Sequence, residues 1–154
     1  MSKVLLTGGA GYIGSHTAVA LLDAGYEVVV VDDYSNCSSN VVSKIEQITG
    51  KSVRNYELDV CDRDAMSQIM TFEKPNTVIH FAGYKAVAES VSEPLKYYDN
   101  NINGMISVLD AMRGANVKNI IFSSSATVYG ESGELPFRED AARGGCTNPY
   151  GWTK

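Results

Sequence analysis

The sequence predicts an α/β fold in which a doubly wound parallel sheet carries helices on both faces. Three observations predict it. Apolar runs of strand length alternate with segments of helical periodicity, and the runs Val28–Val31 and Thr77–Ala82 are nearly all apolar, as strands buried on both faces are. A glycine-rich turn also joins the first apolar run to a helix. Right-handed crossovers between such strands then give the strand order 3-2-1-4-5.

Composition limits the class of protein. The length of 154 residues predicts one domain, and 44% hydrophobic with 20% charged residues is ordinary globular usage. The net charge of −5 provides no basic footprint for nucleic acid or an anionic membrane, and no apolar segment approaches the roughly 20 residues of a membrane span. Cys37, Cys61 and Cys146 form neither a metal spacing nor a disulfide framework, which favours a metal-free protein of the reducing cytoplasm.

The first strand, predicted over Lys3–Thr7, enters a turn that contains Gly8, Gly11 and Gly14. Glycines at these positions permit a sharp turn, let the backbone approach a charged ligand and let the next helix start close to the strand. The exposed N–H groups and the positive end of the helix dipole then suit a pyrophosphate. Ser15 stands where a P-loop would carry lysine, so this turn does not have the P-loop pattern.

The second strand, predicted over Glu27–Asp32, ends in an acid eighteen residues after Gly14. A dinucleotide-binding unit places there the carboxylate that accepts the adenosine ribose hydroxyls, so the context favours a cofactor turn over an ordinary glycine turn. Asp33 follows, and no arginine stands beside the two acids, which by charge favours NAD over its 2′-phosphate form. The sequence therefore predicts a Rossmann-type domain over residues 1–154 that binds NAD.

The remaining elements follow in order along the chain. Helix one is expected to bury Ile13, helix two is expected to begin after Asn40 and to bury Ile48, and a long helix is expected from Pro94. The other predicted elements are strand three over Ser52–Leu58, a helix capped by Asp62, strand four over Thr77–Ala82 and strand five over Asn119–Ser123.

Ligands of such sheets bind at the carboxyl ends of the strands, near the point where the strand order reverses. The residues predicted at those ends are Gly8–Gly14, Asp32 and Asp33, Asp59 and Val60, Phe81–Gly83 and Ser123–Ser125. The candidate site is therefore expected to draw on five separate stretches of the chain.

A second chemical feature lies near residue 150. Asn148 is a good helix cap and Pro149 suits the first helical position, so Tyr150 and Lys154 fall four residues apart on one helix face. A free phenol has a pKa of about 10 and is a poor base, and a nearby ammonium lowers that pKa. Such a pair also occurs on ordinary solvent-exposed helix faces. Here it follows a predicted dinucleotide-binding domain, and Ser125 stands at the end of a predicted strand, so the pair predicts a catalytic group.

Five stretches of the sequence carry a resemblance to a known family. They are Thr7–His16, His80–Gly83, Tyr97–Asn101, Ser123–Gly130 and Asn148–Gly151. Together they resemble the extended short-chain dehydrogenase/reductase family, most closely its nucleotide-sugar 4-epimerases, over essentially the whole chain. The glycine turn is shared across that superfamily, whereas the stretches at 81–87 and 125–127 are more specific to the epimerases.

The resemblance implies roles for individual residues. Tyr12 and Ile13 present backbone to the pyrophosphate, and Phe81 and Ala82 line the nicotinamide half of the cofactor. The full set of implied cofactor-binding residues is Gly8, Gly11, Tyr12, Ile13, Gly14, Asp32, Asp33, Asn36, Asp59, Val60, Phe81, Ala82, Gly83, Lys85, Asn100, Ser123, Tyr150 and Lys154. The implied substrate-binding residues are Lys85, Ser125, Ala126, Thr127 and Tyr150.

The activity implied by the resemblance is the interconversion of UDP-glucose and UDP-galactose through transient oxidation at sugar C4 by NAD. Tyr150, as phenolate, removes the proton of the sugar 4-hydroxyl, Lys154 lowers the pKa of Tyr150 so that the phenolate is available, and Ser125 binds the reacting oxygen. Two other functions remain open: a related nucleotide-sugar dehydratase or reductase, and a non-catalytic NAD-binding module. Ala126 and Thr127 argue against a dehydratase, because such enzymes usually carry acidic residues there.

The family pattern also sets expectations beyond this chain. Tyr84 stands where these epimerases commonly carry leucine, and Trp152–Thr153 stand where Lys-Ser is common. Family members continue past the position of Lys154 with further strands and a substrate domain, and they typically form homodimers through two long helices. The sequence is therefore expected to be the amino-terminal portion of an epimerase, with little or no activity by itself.

Overall fold

A computed structural model describes residues 2–130 and 135–154 and confirms the predicted sheet. The five strands are parallel and lie in the order β3-β2-β1-β4-β5. Their bounds are β1 Lys3–Thr7, β2 Glu27–Asp32, β3 Arg54–Glu57, β4 Thr77–His80 and β5 Asn119–Phe122. The first two strands have the predicted bounds, and the other three are shorter than predicted.

Nine helical segments are described between and after the strands. They are α1 Tyr12–Asp23, α2 Val41–Thr49, α3 Arg63–Glu73, α4 Val87–Ser92, α5 Pro94–Tyr98, a π-helical turn Asp99–Asn103, α6 Gly104–Gly114, a 3₁₀ turn Ala126–Tyr129 and α7 Pro149–Trp152. No helix within residues 2–130 and 135–154 is both long and apolar enough to cross a membrane.

The chain divides into two compact units. The sheet unit consists of the residues up to Ala82 together with Gly104–Phe122. The second unit consists of Gly83–Asn103 together with Ser123–Lys154, of which residues 131–134 are not described. The glycine turn and the predicted acids therefore belong to the sheet unit, and the Tyr150/Lys154 pair belongs to the second unit.

In the sheet unit, hydrophobic cores cover both faces of the sheet because alternate residues of β1 and β2 point in opposite directions. One core combines Val4, Leu6, Val28 and Val30 with Ala18, Leu22, Val42 and Ile45 from α1 and α2. The other combines Leu5, Val29, Val31 and Val78 with Met66, Met70, Val108 and Met112 from α3 and α6. The doubly wound arrangement predicted from the apolar strands is confirmed.

Two residues that were expected to be buried are exposed, since Ile13 is 53% exposed and Ile48 is 71% exposed. In α1 the buried positions include Gly14 and Ala18 instead. A Cβ on Gly14 would lie 2.3 Å from the Gly8 carbonyl oxygen, so only glycine lets the helix come this close to the turn. The side of α1 that carries the small residues Gly14 and Ala18 therefore faces the core, and Ile13 lies on the exposed side.

The predicted long helix from Pro94 is broken into shorter segments. Helix α4 precedes it without having been predicted, and Glu93, at φ −126° and ψ 57°, separates α4 from α5. Pro94 begins α5 as predicted. Asp99–Asn103 then form the π-helical turn, which interrupts the regular periodicity of the helix.

At the amino ends of the strands, Glu73 is a buried carboxylate at 2% exposure. It accepts hydrogen bonds from Lys3 Nζ at 3.0 Å and from Tyr56 Oη at 2.5 Å, and Arg54 Nη1 lies 2.8 Å from both of its oxygens. Burial acts to raise the pKa of Glu73, but the hydrogen bonds from Arg54, Tyr56 and Lys3 outweigh it, so the net pKa is lowered. At this end of the sheet, the buried carboxylate of Glu73 is therefore paired with the cations of Lys3 and Arg54.

Candidate functional site

Gly8 and Gly14 fix the shape of the turn after β1. Gly8 has φ +69°, and a Cβ there would lie 2.6 Å from the Ala82 backbone nitrogen. Its N–H donates to Val31 O at 2.8 Å, which ties the turn to the end of β2. Neither position accepts a side chain without moving backbone, so both are glycines for steric reasons.

Helix α1 starts without a side-chain cap. Its N-cap residue is Gly11, which makes no capping hydrogen bond, and no acidic residue lies in the first turn. The first N–H groups of a helix have no intrahelical acceptor, so those of Tyr12 and Ile13 depend on an outside partner. Uncapped N–H groups at the positive helix end suit an anion such as a pyrophosphate.

Asp32 lies at the end of β2 and is 7% exposed. Its Oδ2 accepts from the Ala10 N–H at 2.9 Å, and its Oδ1 accepts from the Tyr34 N–H at 3.0 Å. The Cys37 thiol also donates to Oδ1 at 3.5 Å. Burial first, and Asp32 second, raise the pKa of Cys37 to about 11, so this thiol stays protonated near neutral pH. No pattern in the sequence indicated this contact of Cys37.

The other predicted residues of the sheet unit lie at the carboxyl ends of the strands. Asp59 accepts from the Cys61 N–H at 2.8 Å, and Val60 is 7% exposed. The N–H groups of Phe81 and Ala82 both donate to Thr7 O, at 2.9 and 3.0 Å. Because Thr7 pairs with Val31 and with His80 in the sheet, the ends of β1, β2 and β4 lie side by side. Asp33 and Asn36 are exposed in the loop after β2.

In the second unit, the predicted cap of α7 is confirmed: Asn148 Oδ1 accepts from the Gly151 N–H at 2.8 Å. Tyr150 is 8% exposed. Lys154 follows two residues after the end of α7, and its Nζ donates to Ser123 O at 3.0 Å. Burial lowers the pKa of Lys154, which weakens its hold on a proton.

Ser125 caps the 3₁₀ turn Ala126–Tyr129. Its Oγ accepts from the Thr127 N–H at 3.3 Å and from Thr127 Oγ1 at 3.0 Å. Thr127 O also lies 3.4 Å from where a Cβ on Gly151 would stand, so the turn packs against α7. The second unit thus brings the Ser125 turn to the helix that carries Tyr150.

The segment Gly83–Lys85 is held by residues of the neighbouring helices that sequence reasoning missed. Asn101 bonds the backbone of Tyr84, and Tyr97 Oη accepts from the Ala86 N–H at 3.0 Å. Burial is the largest factor that raises the pKa of Tyr97 to about 12. Only their place inside the resembling stretch Tyr97–Asn101 singled these residues out in the sequence.

No group of three or more His, Cys, Asp or Glu side chains that could hold a metal ion occurs among the described residues. The predicted residues therefore form two sets. Those of the sheet unit surround the glycine turn and the ends of β1 to β4, and those of the second unit surround α7 and the turn at Gly83–Lys85.

Comparison with known proteins agrees with these features. Residues 4–154 match the NAD dependent epimerase/dehydratase family. The chain is 52% identical over 151 residues to the UDP-glucose 4-epimerase of Bacillus subtilis, a match that covers 98% of this chain and 44% of that protein. It is 48% identical over 154 residues to the UDP-glucose 4-epimerase of Neisseria meningitidis serogroup B, a match that covers 100% of this chain and 45% of that protein.

A solved structure gives the same result. The crystal structure of UDP-glucose 4-epimerase from Bifidobacterium longum in complex with NAD+ and UDP superposes with a TM-score of 0.97 at 51% identity, covering 99% of this chain and 46% of that one. The chain thus spans a little under half the length of the relatives it matches. On this evidence the chain belongs to the NAD dependent epimerase/dehydratase family.

Proposed function

We propose that this chain supplies the cofactor-binding and catalytic part of an NAD-dependent UDP-glucose 4-epimerase, which interconverts UDP-glucose and UDP-galactose. The observation that supports the proposal most strongly is the identity of 48–52% to UDP-glucose 4-epimerases over 98–100% of the chain. Because the match covers only 44–45% of those proteins, the activity is proposed for the full-length protein that contains residues 1–154.

The sheet unit fits NAD. The uncapped N–H groups of Tyr12 and Ile13 are proposed to bind the pyrophosphate, and the buried carboxylate of Asp32 to accept from the adenosine ribose. The other proposed cofactor-binding residues of this unit are Gly8, Gly11, Gly14, Asp33, Asn36, Asp59, Val60, Phe81 and Ala82. A 2′-phosphate would meet the negative charges of Asp32 and Asp33, which favours NAD.

The second unit is proposed to supply the chemistry of the reaction. NAD, when bound, would supply the hydride acceptor and donor for sugar C4. Tyr150 accepts the proton of the sugar 4-hydroxyl, Lys154 supports it as a cation, and Ser125 binds the same sugar oxygen. The other proposed ligand-binding residues of this unit are Gly83, Lys85, Asn100, Ser123, Ala126 and Thr127.

The test is to purify the full-length protein, release and identify any tightly bound nucleotide, and assay conversion of UDP-galactose to UDP-glucose. Tyr150→Phe removes the proposed base and keeps the ring, so turnover is expected to fall by at least about 100-fold while NAD stays bound. Trp152→Phe is the matched control, because Trp152 lies on the same helix and is 57% exposed. Near-normal turnover of Tyr150→Phe would exclude Tyr150 as the base.

We further propose that the full-length protein is a homodimer that covers an exposed apolar stripe on α4, α5 and the π-helical turn. The stripe consists of Val87, Val91, Leu95, Tyr98 and Ile102, which are 38–81% exposed and spaced three or four residues apart. An isolated surface rarely carries such a patch. Leu95→Glu is expected to give monomers in light scattering, whereas Ile48→Glu, on α2, leaves the mass unchanged.

A further inference from the structure

Asn101 is the centre of a buried hydrogen-bond network in the second unit, where the residue is 6% exposed. Its Oδ1 accepts from the Tyr84 N–H at 2.8 Å and its Nδ2 donates to Tyr84 O at 3.0 Å. The same Nδ2 donates to Thr153 Oγ1 at 2.9 Å, and Asn100 Nδ2 donates to Oδ1 at 2.9 Å. A lost bond here leaves a buried polar group unpaired, so the arrangement is costly to disturb.

Thr153 links this hydrogen-bond network to α7, the helix that contains Tyr150. The residue is 5% exposed, and its hydroxyl donates to Tyr150 O at 2.9 Å while it accepts from Asn101. One hydroxyl group supplies the donor for one bond and the acceptor for the other, so both bonds have a fixed direction. Thr153 directly precedes Lys154 in the chain, and its hydroxyl therefore fixes the backbone between the two residues of the pair.

On the other side, the Asn101 amide fixes the turn that leads to Lys85. Gly83 has φ +143°, and a Cβ there would stand 3.0 Å from Asn101 Oδ1. Both backbone polar groups of Tyr84 are bonded to Asn101. The exposed side chain of Lys85 therefore starts from a backbone position that Asn101 determines.

We propose that Asn101 and Thr153 are positioning residues, which hold the Lys85 turn and the Tyr150–Lys154 segment in one fixed arrangement. The π-helical turn contributes, because such a turn changes the direction of its side chains relative to a regular helix, and such turns occur often at functional sites. The effect on rate rests on the proposed function. A misplacement of about 1 Å in a proton-transfer site reduces the rate by up to about 100-fold.

Three variants of the full-length protein test this. Thr153→Val keeps the shape and loses the hydroxyl, and Thr153→Ser keeps the hydroxyl and loses the methyl group. Thr49→Val is the matched control, since the Thr49 hydroxyl also donates to a carbonyl near a helix end, that of Ile45 at 2.8 Å, but Thr49 lies in the sheet unit on α2. Each variant is measured for kcat and KM with UDP-galactose, for NAD affinity, and for amide hydrogen exchange at Tyr84.

The expected result is a fall in kcat of about 10- to 100-fold for Thr153→Val, with KM and NAD affinity within about twofold of the wild type. Thr153→Ser is expected to stay within about threefold of the wild-type kcat. Exchange at the Tyr84 N–H, 69 positions away in sequence, is expected to rise at least about threefold in Thr153→Val only. A general structural defect would instead change NAD affinity as well, or reduce kcat equally in the control.

The proposal is overturned if Thr153→Val retains wild-type kcat, if Thr153→Ser fails to restore it, or if exchange at Tyr84 does not respond. Failure of the proposed function is separate, because it would appear as a wild-type protein without epimerase activity. In that case amide hydrogen exchange at Tyr84 alone tests the positioning role of Asn101 and Thr153. A rise in exchange confined to Thr153→Val supports that role, and no rise overturns it.

Discussion

Two buried carboxylates lie at opposite ends of the sheet and differ in what holds them. Glu73, at the amino ends of the strands, is bonded by Lys3 and Arg54 and by one phenol. Asp32, at the carboxyl end of β2, is bonded by two backbone N–H groups and a thiol. Within the described residues Asp32 forms no salt bridge. Both carboxylates are less than 10% exposed, so burial alone does not explain the difference.

We interpret the difference as one between a structural carboxylate, Glu73, and a proposed binding carboxylate, Asp32. Glu73 has cations at bonding distance, so its charge contributes to folding. The hydrogen-bond donors described for Asp32 include no cation, and its carboxylate has acceptor capacity left for the hydroxyls of a ligand. A buried carboxylate without a cationic partner contributes less to stability than one that has cations at bonding distance, and such a cost is typical of binding sites.

The largest effect is expected for Gly8→Ala, which places a Cβ 2.6 Å from the Ala82 backbone at φ +69°. We expect a loss of about 3 kcal/mol of unfolding free energy and at least about 100-fold in NAD affinity. Gly50→Ala is the matched control, because Gly50 has φ +67° and its Cβ would meet open space. It is expected to lose about 1 kcal/mol and to keep NAD affinity. Urea unfolding and calorimetric titration measure both quantities; equal losses would contradict the steric argument.

Glu73→Gln should weaken the amino end of the sheet without affecting the ligand. The amide keeps the shape and one acceptor but no longer balances Lys3 and Arg54. We expect about 2 kcal/mol lower unfolding free energy, less than for a fully enclosed pair because Arg54 is half exposed, and unchanged NAD affinity. Glu57→Gln, at the exposed carboxyl end of β3, is the control. A change in NAD affinity would show that the two ends of the sheet are not independent.

The same carboxylate predicts an acid dependence of stability. The pKa of Glu73 is lowered on folding, so the unfolded chain binds its proton at a higher pH than the folded protein does. Stability from this group is therefore complete above the ordinary value of 4.5 and is lost as the pH falls from there through the folded pKa. Unfolding free energy measured from pH 6 to pH 3 should fall less steeply in Glu73→Gln. Parallel curves for the two proteins would contradict the assignment.

The sequence predicts a structural feature correctly where a local residue pattern has one physical cause. The strand order followed from apolar strands and the right-handed crossover, and the cap at Asn148 followed from one residue type next to Pro149. The outward turn of Ile13 was not predictable from periodicity, because it depends on the close contact of Gly14 with Gly8. The contacts of Asn101 join parts of the chain 17 and 52 residues apart, and no local pattern specifies them.

Asp32→Asn tests the other carboxylate. One oxygen facing an N–H is replaced by an amide nitrogen, which loses a hydrogen bond, while a buried charge is also removed. These effects oppose each other, so we expect a change in unfolding free energy of less than about 1 kcal/mol. NAD affinity is expected to fall about tenfold, since bonds to a charged acceptor are roughly twice as strong as neutral ones. A large loss of stability with unchanged affinity would assign Asp32 a structural role like that of Glu73.

The smallest effect is expected at Cys37, whose thiol donates to Asp32. With a pKa raised from 9.0 to about 11, Cys37 should be alkylated at pH 8 about 100-fold more slowly in the folded protein than in urea. Burial is the largest cause of that rise and Asp32 the next, so Asp32→Asn should speed alkylation of the folded protein only about threefold. Asp23→Asn, on α1, is the charge-matched control and should leave the rate unchanged. Mass spectrometry of the Cys37 peptide measures the rate, and a rate unaffected by Asp32→Asn would mean that the carboxylate charge does not act on the thiol.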